Sequence, residues 1–275
     1  MKVVAWNMHQ RSLYGNWPVL RDDPKLGGAH VALLCEATGV PELPSRFGFH
    51  AEGNRSTKGS DCECSDLPYG CHKRRYSTAI ATTGERANGL REIPDGPRPS
   101  RPGTWTARTV SVSNATVTAI ALYGLHDGSY VESVRRSLKE LSPIIEDDEY
   151  GRYLLLGGDL NILAGKPGPH AGLAVLNEFR ELGLVDCLEA KLPAGRYNDP
   201  AHRADMDNCP CGLRDGCRHT RTFYSRAFPE IPYQDDYLFA SPRLADNGHL
   251  VGCFAPVVDA TSPSDHAPVV AEFEI

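Results

Sequence analysis

Several things are scarce or missing in these 275 residues, and each absence excludes a class. No apolar run approaches the roughly 18 residues a membrane-spanning helix needs. There is no internal repeat and no low-complexity tract, which argues against solenoids and unstructured chains. A basic excess is missing too: 29 Lys and Arg face 35 Asp and Glu, for a net charge of −6. That excludes a protein coated in positive charge that holds nucleic acid non-specifically. It leaves room for a local basic groove, or for an acidic site neutralised by a metal ion. Cysteine is thin, nine in 275, well below the density of a small disulfide scaffold. The first seven residues run into a polar segment too early for a signal peptide. The expectation is a cytoplasmic protein with reduced thiols and no membrane association. In that setting the sequons at Asn54-Arg55-Ser56 and Asn114-Ala115-Thr116 are chance matches.

What is present is enough apolar residue, 41%, for a sizeable core. The length fits one large domain covering 1–275. Short β-branched or aromatic runs bounded by Gly, Pro, Asn or Asp predict strands at 2–7, 30–35, 77–83, 104–111, 116–123, 153–158, 222–224, 237–240 and 268–273. Val131, Val134, Leu138 and Leu141 form one apolar stripe, predicting a helix over 128–142 that Pro143 ends or kinks. A second helix is predicted over 170–182, with Leu173, Leu176, Phe179 and Leu182 buried and Gly183 just past its end. Segments 51–76 and 193–221, rich in Gly, Pro, Asp, Arg and Cys, read as long loop insertions.

Polar residues recur where apolar strands stop. Asn7 ends Val3-Val4-Ala5-Trp6, and Glu36 ends Val31-Ala32-Leu33-Leu34-Cys35. Tyr123 and His126 follow Val117–Leu122; Asp159 and Asn161 follow Leu154-Leu155-Leu156-Gly157-Gly158. Asp236 opens Tyr237-Leu238-Phe239, and Asp265-His266 precede Ala267-Pro268-Val269. Any one of these is an ordinary polar loop residue. Together they form a set of hard oxygen ligands suited to Mg²⁺ or Mn²⁺, with His beside Asp for proton transfer.

In this order, Trp6-Asn7, Leu34-Cys35-Glu36, Tyr123-Gly124-Leu125-His126, Gly158-Asp159-Leu160-Asn161, Asp236-Tyr237-Leu238-Phe239 and Ser264-Asp265-His266 resemble the endonuclease/exonuclease/phosphatase superfamily from end to end. The resemblance implies an α/β fold, a four-layer α/β/β/α sandwich with two packed mixed β-sheets. It implies that Glu36 is the main Mg²⁺ ligand, aided by Asn7 and Asp265. Asp159 would activate or orient the attacking water, and Asn161 would hold the scissile phosphate. His266 would stabilise the phosphorane or act as general acid or base, with Asp236 fixing its tautomer. His126 resembles the family's second catalytic or phosphate-binding histidine; Tyr123 occupies a phosphate-binding position in some members, so which of the two fills that role stays open. Asp235 reads as structural. His9 is close to Asn7 and could touch substrate, but reads first as a solvent-exposed residue. Arg108 sits on a strand where relatives often place an Arg that contacts phosphate.

Six cysteines fall in the two insertions, as Cys62-x-Cys64-x6-Cys71-His72 and Cys209-x-Cys211-x5-Cys217-x-His219. Structural zinc, disulfides and free thiols all fit; soft ligands in a reducing compartment favour zinc. Whether each loop closes its own site, or the two share one, stays open. Cys35, Cys187 and Cys253 read as buried core residues. Residues 52–110 carry ten Lys or Arg against seven Asp or Glu, including Lys73-Arg74-Arg75. Arg214, Arg218, Arg221 and Arg226 flank the second cluster. Basic, metal-stapled loops beside the strand ends would grip a polyanion. The function expected is a Mg²⁺-dependent phosphodiesterase, a nuclease on DNA or RNA. The alternatives are a phosphoesterase on a small molecule or lipid headgroup, and a non-catalytic nucleic-acid-binding module.

Overall fold

The strand Lys2–Asn7 (β1) shows how the layers arise. Successive strand side chains point to opposite faces. Val3 and Ala5 enter one buried cluster; Val4 and Trp6 enter another on the far side. A strand apolar on both faces must be covered on both faces. β1 runs parallel to Val31–Thr38 (β2), with Val3 opposite Val31, and antiparallel to Val269–Phe273 (β12), with Val4 opposite Val270. Gly48–Arg55 (β3), Arg75–Thr82 (β4) and Leu250–Phe254 (β11) complete a six-stranded sheet in the order β11-β12-β1-β2-β4-β3. The second sheet holds Ala87–Arg91 (β5), Trp105–Val112 (β6), Ala115–Leu122 (β7), Leu154–Asp159 (β8), the two-residue Val185–Asp186 (β9) and Asp236–Ala240 (β10). Its order is β5-β6-β7-β8-β10-β9, with β7 parallel to β8 and the other pairs antiparallel.

The sheets share a core of Val3, Ala5, Leu33, Ile80, Val117, Ala119, Leu155, Leu238 and Val269. Asn16–Asp22 (α1) covers the outer face of the first sheet, placing Trp17 and Leu20 against Val4, Trp6 and Leu34. Tyr130–Ile145 (α2) and Pro169–Glu181 (α3) cover the second, where Val134, Leu138, Leu141, Val175 and Phe179 meet Ile120, Leu156 and Phe239. Four layers result, as expected. Each buried aliphatic side chain contributes about 1.5–3 kcal/mol of transfer free energy. The computed structural model describes residues 1–9, 16–38, 48–55, 75–82, 87–126, 128–162, 169–192, 200–213, 217–246, 248–258, 262 and 264–275. No helix among them is long and apolar enough to cross a membrane.

Some expectations need correcting. Pro143 does not end α2, which runs on to Ile145. A proline there cannot donate to the Lys139 carbonyl oxygen; Ser142 Oγ takes that acceptor instead, at 3.1 Å. The segments read as loops contain structure: β3 reaches Arg55, and Pro200–Asn208 forms a helix (α5). α5 carries almost no apolar periodicity, so the pattern that marks a packed helix is missing. The predicted strand at 222–224 reduces to Phe223, which makes isolated bridges to Tyr233 and His266. Three further short helices, α1, Cys187–Ala190 (α4) and Pro242–Ala245 (α6), and the strands β5, β9 and β11 went unpredicted. Gly183 does close α3: at φ +79° it lets its own N–H reach the Arg180 carbonyl and the Leu184 N–H reach Phe179.

Candidate active site

The topology alone brings the polar strand ends together. β1, β2, β7 and β8 end at one edge of the sandwich, and β10 and β12, being antiparallel to β8 and β1, begin there. Asp236 pairs in register with Asp159. His266 Nδ1 lies 2.8 Å from Asp236 Oδ2, and both are buried. Ligating atoms of Asp159, Asp236 and His266 all lie within 4.8 Å of one another. Asn7 Nδ2 donates to Asp159 Oδ2 at 2.7 Å, while Asn7 Oδ1 accepts the His9 N–H at 2.8 Å. Asn161 N–H donates to Asp159 Oδ1 at 3.1 Å, and its amide donates to the Gly124 carbonyl at 3.3 Å. Tyr123 OH donates to Glu36 Oε1 at 2.6 Å.

Of the predicted metal ligands, one touches the buried trio directly and two are chain neighbours of residues in or against it. Asn7 is bonded to Asp159, Asp265 adjoins His266, and Glu36 follows Cys35, whose Sγ accepts the Asp159 N–H at 3.4 Å. His126 stands apart: it is exposed and meets Tyr130 edge-on at 4.9 Å. His9 is not the exposed residue expected. Its Nδ1 lies 3.0 Å from Asp265 Oδ1, and its ring is about one-quarter exposed.

Strain concentrates at this edge. His9, Glu36 and Asn161 have φ of +49°, +49° and +54°, three of the five described non-glycine residues with positive φ. Such backbone costs on the order of 1 kcal/mol or more per residue and persists where the surroundings over-determine it. Gly158, at φ +141°, is required: a Cβ there would run into the Leu122 carbonyl oxygen and come within 2.8 Å of Cys35 Sγ.

Burial pushes the Asp159 carboxyl well above the ordinary carboxylate range; His266 pulls it down, and Asp236 and Asp235 push it further up. Burial also works against a charged His266, but Asp236 and Asp159 outweigh it and raise that imidazole to about 10. For Asp265, burial is outweighed by the His9 hydrogen bond and the charges of His266 and His9, which hold its carboxyl below the ordinary value. Asp236 Oδ1 is buried and has no hydrogen-bond partner among the described residues. A desolvated carboxylate oxygen of this kind calls for a donor or a cation. The donor set is one of oxygens with a single imidazole, which fits a hard divalent ion.

Arg108 lies on β6 but away from this cluster. Its guanidinium sits 2.6 Å from His50 Nε2 and 3.5 Å from Glu92 Oε1, on the wall of a cleft of about 760 Å³ with Trp105, Ile93 and Arg98. Arg218 lies 3.7 Å from Glu189, and Arg221 packs 4.4 Å over the Tyr224 ring while donating to the Pro229 carbonyl. Much of the basic flank is thus engaged within the fold. Cys62, Cys64, Cys71, His72, Lys73, Arg74 and Arg214 lie outside the described residues; Arg75 opens β4.

The second cysteine group does assemble. Ligand atoms of Cys209, Cys211, Cys217 and His219 lie within 4.8 Å of one another, and the three cysteines are buried. The Cys217 contact, aided by burial, raises the Cys209 thiol; the Cys209 contact and His219 draw Cys217 down to about 4 against its burial. Burial pushes His219 down, yet Cys211 and Cys217 raise it to about 9. Cys35 and Cys187 are core residues as read, while Cys253 is only partly buried.

No family model and no curated protein matches the sequence. Solved structures do match, along the whole chain. An AP endonuclease from Archaeoglobus fulgidus superposes with a TM-score of 0.59 at 18% identity, covering 100% of both chains. A 3' phosphatase from Neisseria, bound to a product DNA hairpin, gives 0.57 at 17%, again covering 100% of both. An endonuclease/exonuclease/phosphatase from Bacteroides vulgatus gives 0.60 at 14%, covering 100% of this chain and 98% of the other. At these identities the likeness establishes the fold, and the fold is the one the ordered motifs imply.

Proposed function

We propose that this chain acts as one domain that hydrolyses nucleic-acid phosphodiester bonds with the help of Mg²⁺ or Mn²⁺. The observation that carries the reading is the buried Asp236–His266 pair at 2.8 Å beside Asp159 and Asn7 at 2.7 Å, set where six strands begin or end. Asp236 holds the imidazole through Nδ1, which leaves Nε2 as the nitrogen that meets substrate. His266 then supplies a positive donor where charge develops on the phosphoryl oxygens. Asp159, fixed by Asn7 and the Asn161 N–H, orients the attacking water and accepts its proton. Asn161, turned by its positive φ, offers its amide to the phosphate. Glu36, held by Tyr123, would bind the metal with Asn7 and Asp265; a bound Mg²⁺ supplies charge stabilisation to the phosphate and leaving oxygen. Tyr123 thus positions Glu36, and His126 is left as an exposed contact for substrate beyond the scissile bond. Arg108 and the 73–75 basic run would meet the polyanion.

DNA or RNA is favoured over a small phosphoester by the basic residues that the sequence carries in 52–110 and around the second cysteine cluster, and by the Neisseria phosphatase of the same fold, which is bound to DNA. We place the protein in the cytoplasm, where thiols stay reduced. The test offers protein with Mg²⁺ or Mn²⁺ single- and double-stranded DNA, RNA, inositol phosphates and sphingomyelin. Metal-dependent cleavage of a nucleic acid is expected, and Asp159→Ala and His266→Ala should each slow it by about 10²–10⁴-fold. Cleavage that survives both substitutions overturns the site. Intact nucleic acid with a hydrolysed small phosphoester overturns the substrate class.

A further inference from the structure

We propose that Cys209, Cys211, Cys217 and His219 form a self-contained structural zinc site that braces the strand ends carrying Asp236 and His266. Three sulfurs and one imidazole are the donor set of a closed, tetrahedral zinc site. The spacing fits as well. With Zn–S near 2.3 Å and Zn–N near 2.0–2.1 Å, a regular tetrahedron places S and N about 3.5–3.6 Å apart. His219 Nδ1 lies 3.6 Å from Cys209 Sγ and 3.7 Å from Cys217 Sγ. The three cysteines are at most 6% exposed, with Leu173 of α3 packed against them, so no position stays open for a reacting water. One loop supplies all four ligands, so the pattern Cys-x-Cys-x5-Cys-x-His closes a site by itself.

The chain leaving the last ligand runs directly into the candidate active site. Thr220 N–H donates to Gln234 Oε1 at 2.6 Å. Thr222 Oγ1 accepts the N–H groups of Asp235 and Asp236, both at 3.0 Å, and its carbonyl accepts the Ala267 N–H at 2.7 Å. Tyr224 N–H donates to the Asp265 carbonyl at 2.8 Å, and the Phe223 ring lies 4.7 Å from the His266 ring. Residues 220–224 thus stitch the segment before β10 to the segment before β12. With only isolated bridges of its own, this strap depends on an anchor, and His219 is the residue just before it. Zinc at His219 fixes the start of the strap. The bracing of a catalytic pair rests on the phosphodiesterase reading; the zinc site does not.

The test therefore needs no substrate. Full-length protein is purified without chelator and its zinc counted. Cys211→Ser should carry one equivalent less than the wild type, and His219→Cys, which preserves a four-ligand set, should keep it. Co²⁺ in place of zinc should give tetrahedral d–d bands and a sulfur-to-cobalt charge-transfer band, both lost in Cys211→Ser. If that variant fails to fold, cobalt in the wild type and zinc in His219→Cys still decide. Equal zinc in wild type and Cys211→Ser, or an unreduced mass two hydrogens short with no zinc, overturns the site. Stripping zinc and restoring Mg²⁺ should speed amide exchange in 220–224, 234–236 and 265–267 while β1 stays protected. Unchanged exchange in those segments overturns the bracing.

Discussion

The oxygen-lined site draws its side chains from residues 159, 236 and 266, on strand ends that only the finished sandwich brings together, whereas the sulfur-lined site takes all four ligands from 209–219. The first is held by two sheets and a packed core, and by hydrogen bonds of its own such as Asn7 Nδ2 to Asp159 and His266 Nδ1 to Asp236. The second has few backbone ladders around it and gathers four ligands that a metal is suited to hold. The contrast teaches where each site is vulnerable. Loss of a cation at the strand ends should remove chemistry and leave the fold. Loss of zinc from the loop should loosen structure first and chemistry second.

The largest effect expected falls on the oxygen side. Asp236→Asn keeps the shape of the residue and an oxygen near His266 Nδ1, but removes the charge that holds the imidazole in its tautomer. Activity should fall by on the order of 10³–10⁴-fold, as removal of the orienting carboxylate does in hydrolase triads. The unfolding midpoint should stay close to the wild type. A variant within tenfold of wild-type activity would remove Asp236 from the mechanism.

Next comes the direct comparison of the ions. Omitting Mg²⁺ from zinc-replete protein should abolish turnover and shift Tm by no more than about 1 °C. Removing zinc and then restoring Mg²⁺ should lower Tm by about 5–10 °C, corresponding to about 2–3 kcal/mol in a chain of this size. Differential scanning calorimetry separates the two. Equal shifts from both ions would break the distinction between a site held by the fold and a metal-built one.

These two sites were unequally legible in the amino-acid sequence, for the same reason. Cys-x-Cys-x5-Cys-x-His announces itself because its ligands are neighbours along the chain, although the spacing left disulfides and free thiols open. The strand-end residues are ordinary one by one; only their order, Asn7 through His266, carried meaning, and the layered fold followed from the alternation that β1 makes explicit. His9 was misread because its partner, Asp265, is remote in sequence and reaches it only through the β1–β12 pairing. α5 was hidden because its stability does not come from an apolar stripe. Arg108 was placed on the right strand, but a strand assignment does not say that Glu92 and His50 will occupy the guanidinium.

A smaller effect tests how rigidly the sheets hold the oxygen site. Gly158→Ala would press a methyl group against the Leu122 carbonyl oxygen and Cys35 Sγ at a φ of +141°. The obstacles belong to β7 and β2 and cannot swing aside, so a loss of about 2–4 kcal/mol is expected. Urea unfolding measures it. A cost below about 0.5 kcal/mol would mean that the edge can yield, and that the strained backbone of Glu36 and Asn161 is not held by its surroundings.

The smallest effect concerns Asp186, which pairs with Phe239 of β10 and stands at the start of α4. Its carboxylate caps that helix, accepting the N–H groups of Leu188 at 2.9 Å and Glu189 at 3.2 Å. Burial nevertheless raises it to about 6, against the hydrogen bonds that lower it. The sign follows from proton linkage. A raised folded-state value means the native protein binds the proton more tightly than the unfolded chain, so this group favours folding below about pH 4 and loses that contribution as pH rises through about 6. Asp186→Asn keeps a capping oxygen and removes the titration. Two pH units correspond to about 3 kcal/mol, but an amide oxygen is a weaker acceptor than a carboxylate, so a gain of about 1 kcal/mol is expected above pH 7. That gain should shrink toward zero near pH 4. Urea midpoints of both proteins, compared at each pH so that zinc release cancels, give the difference directly. A gain that stays constant with pH would assign the effect to packing around α4 and not to the buried charge.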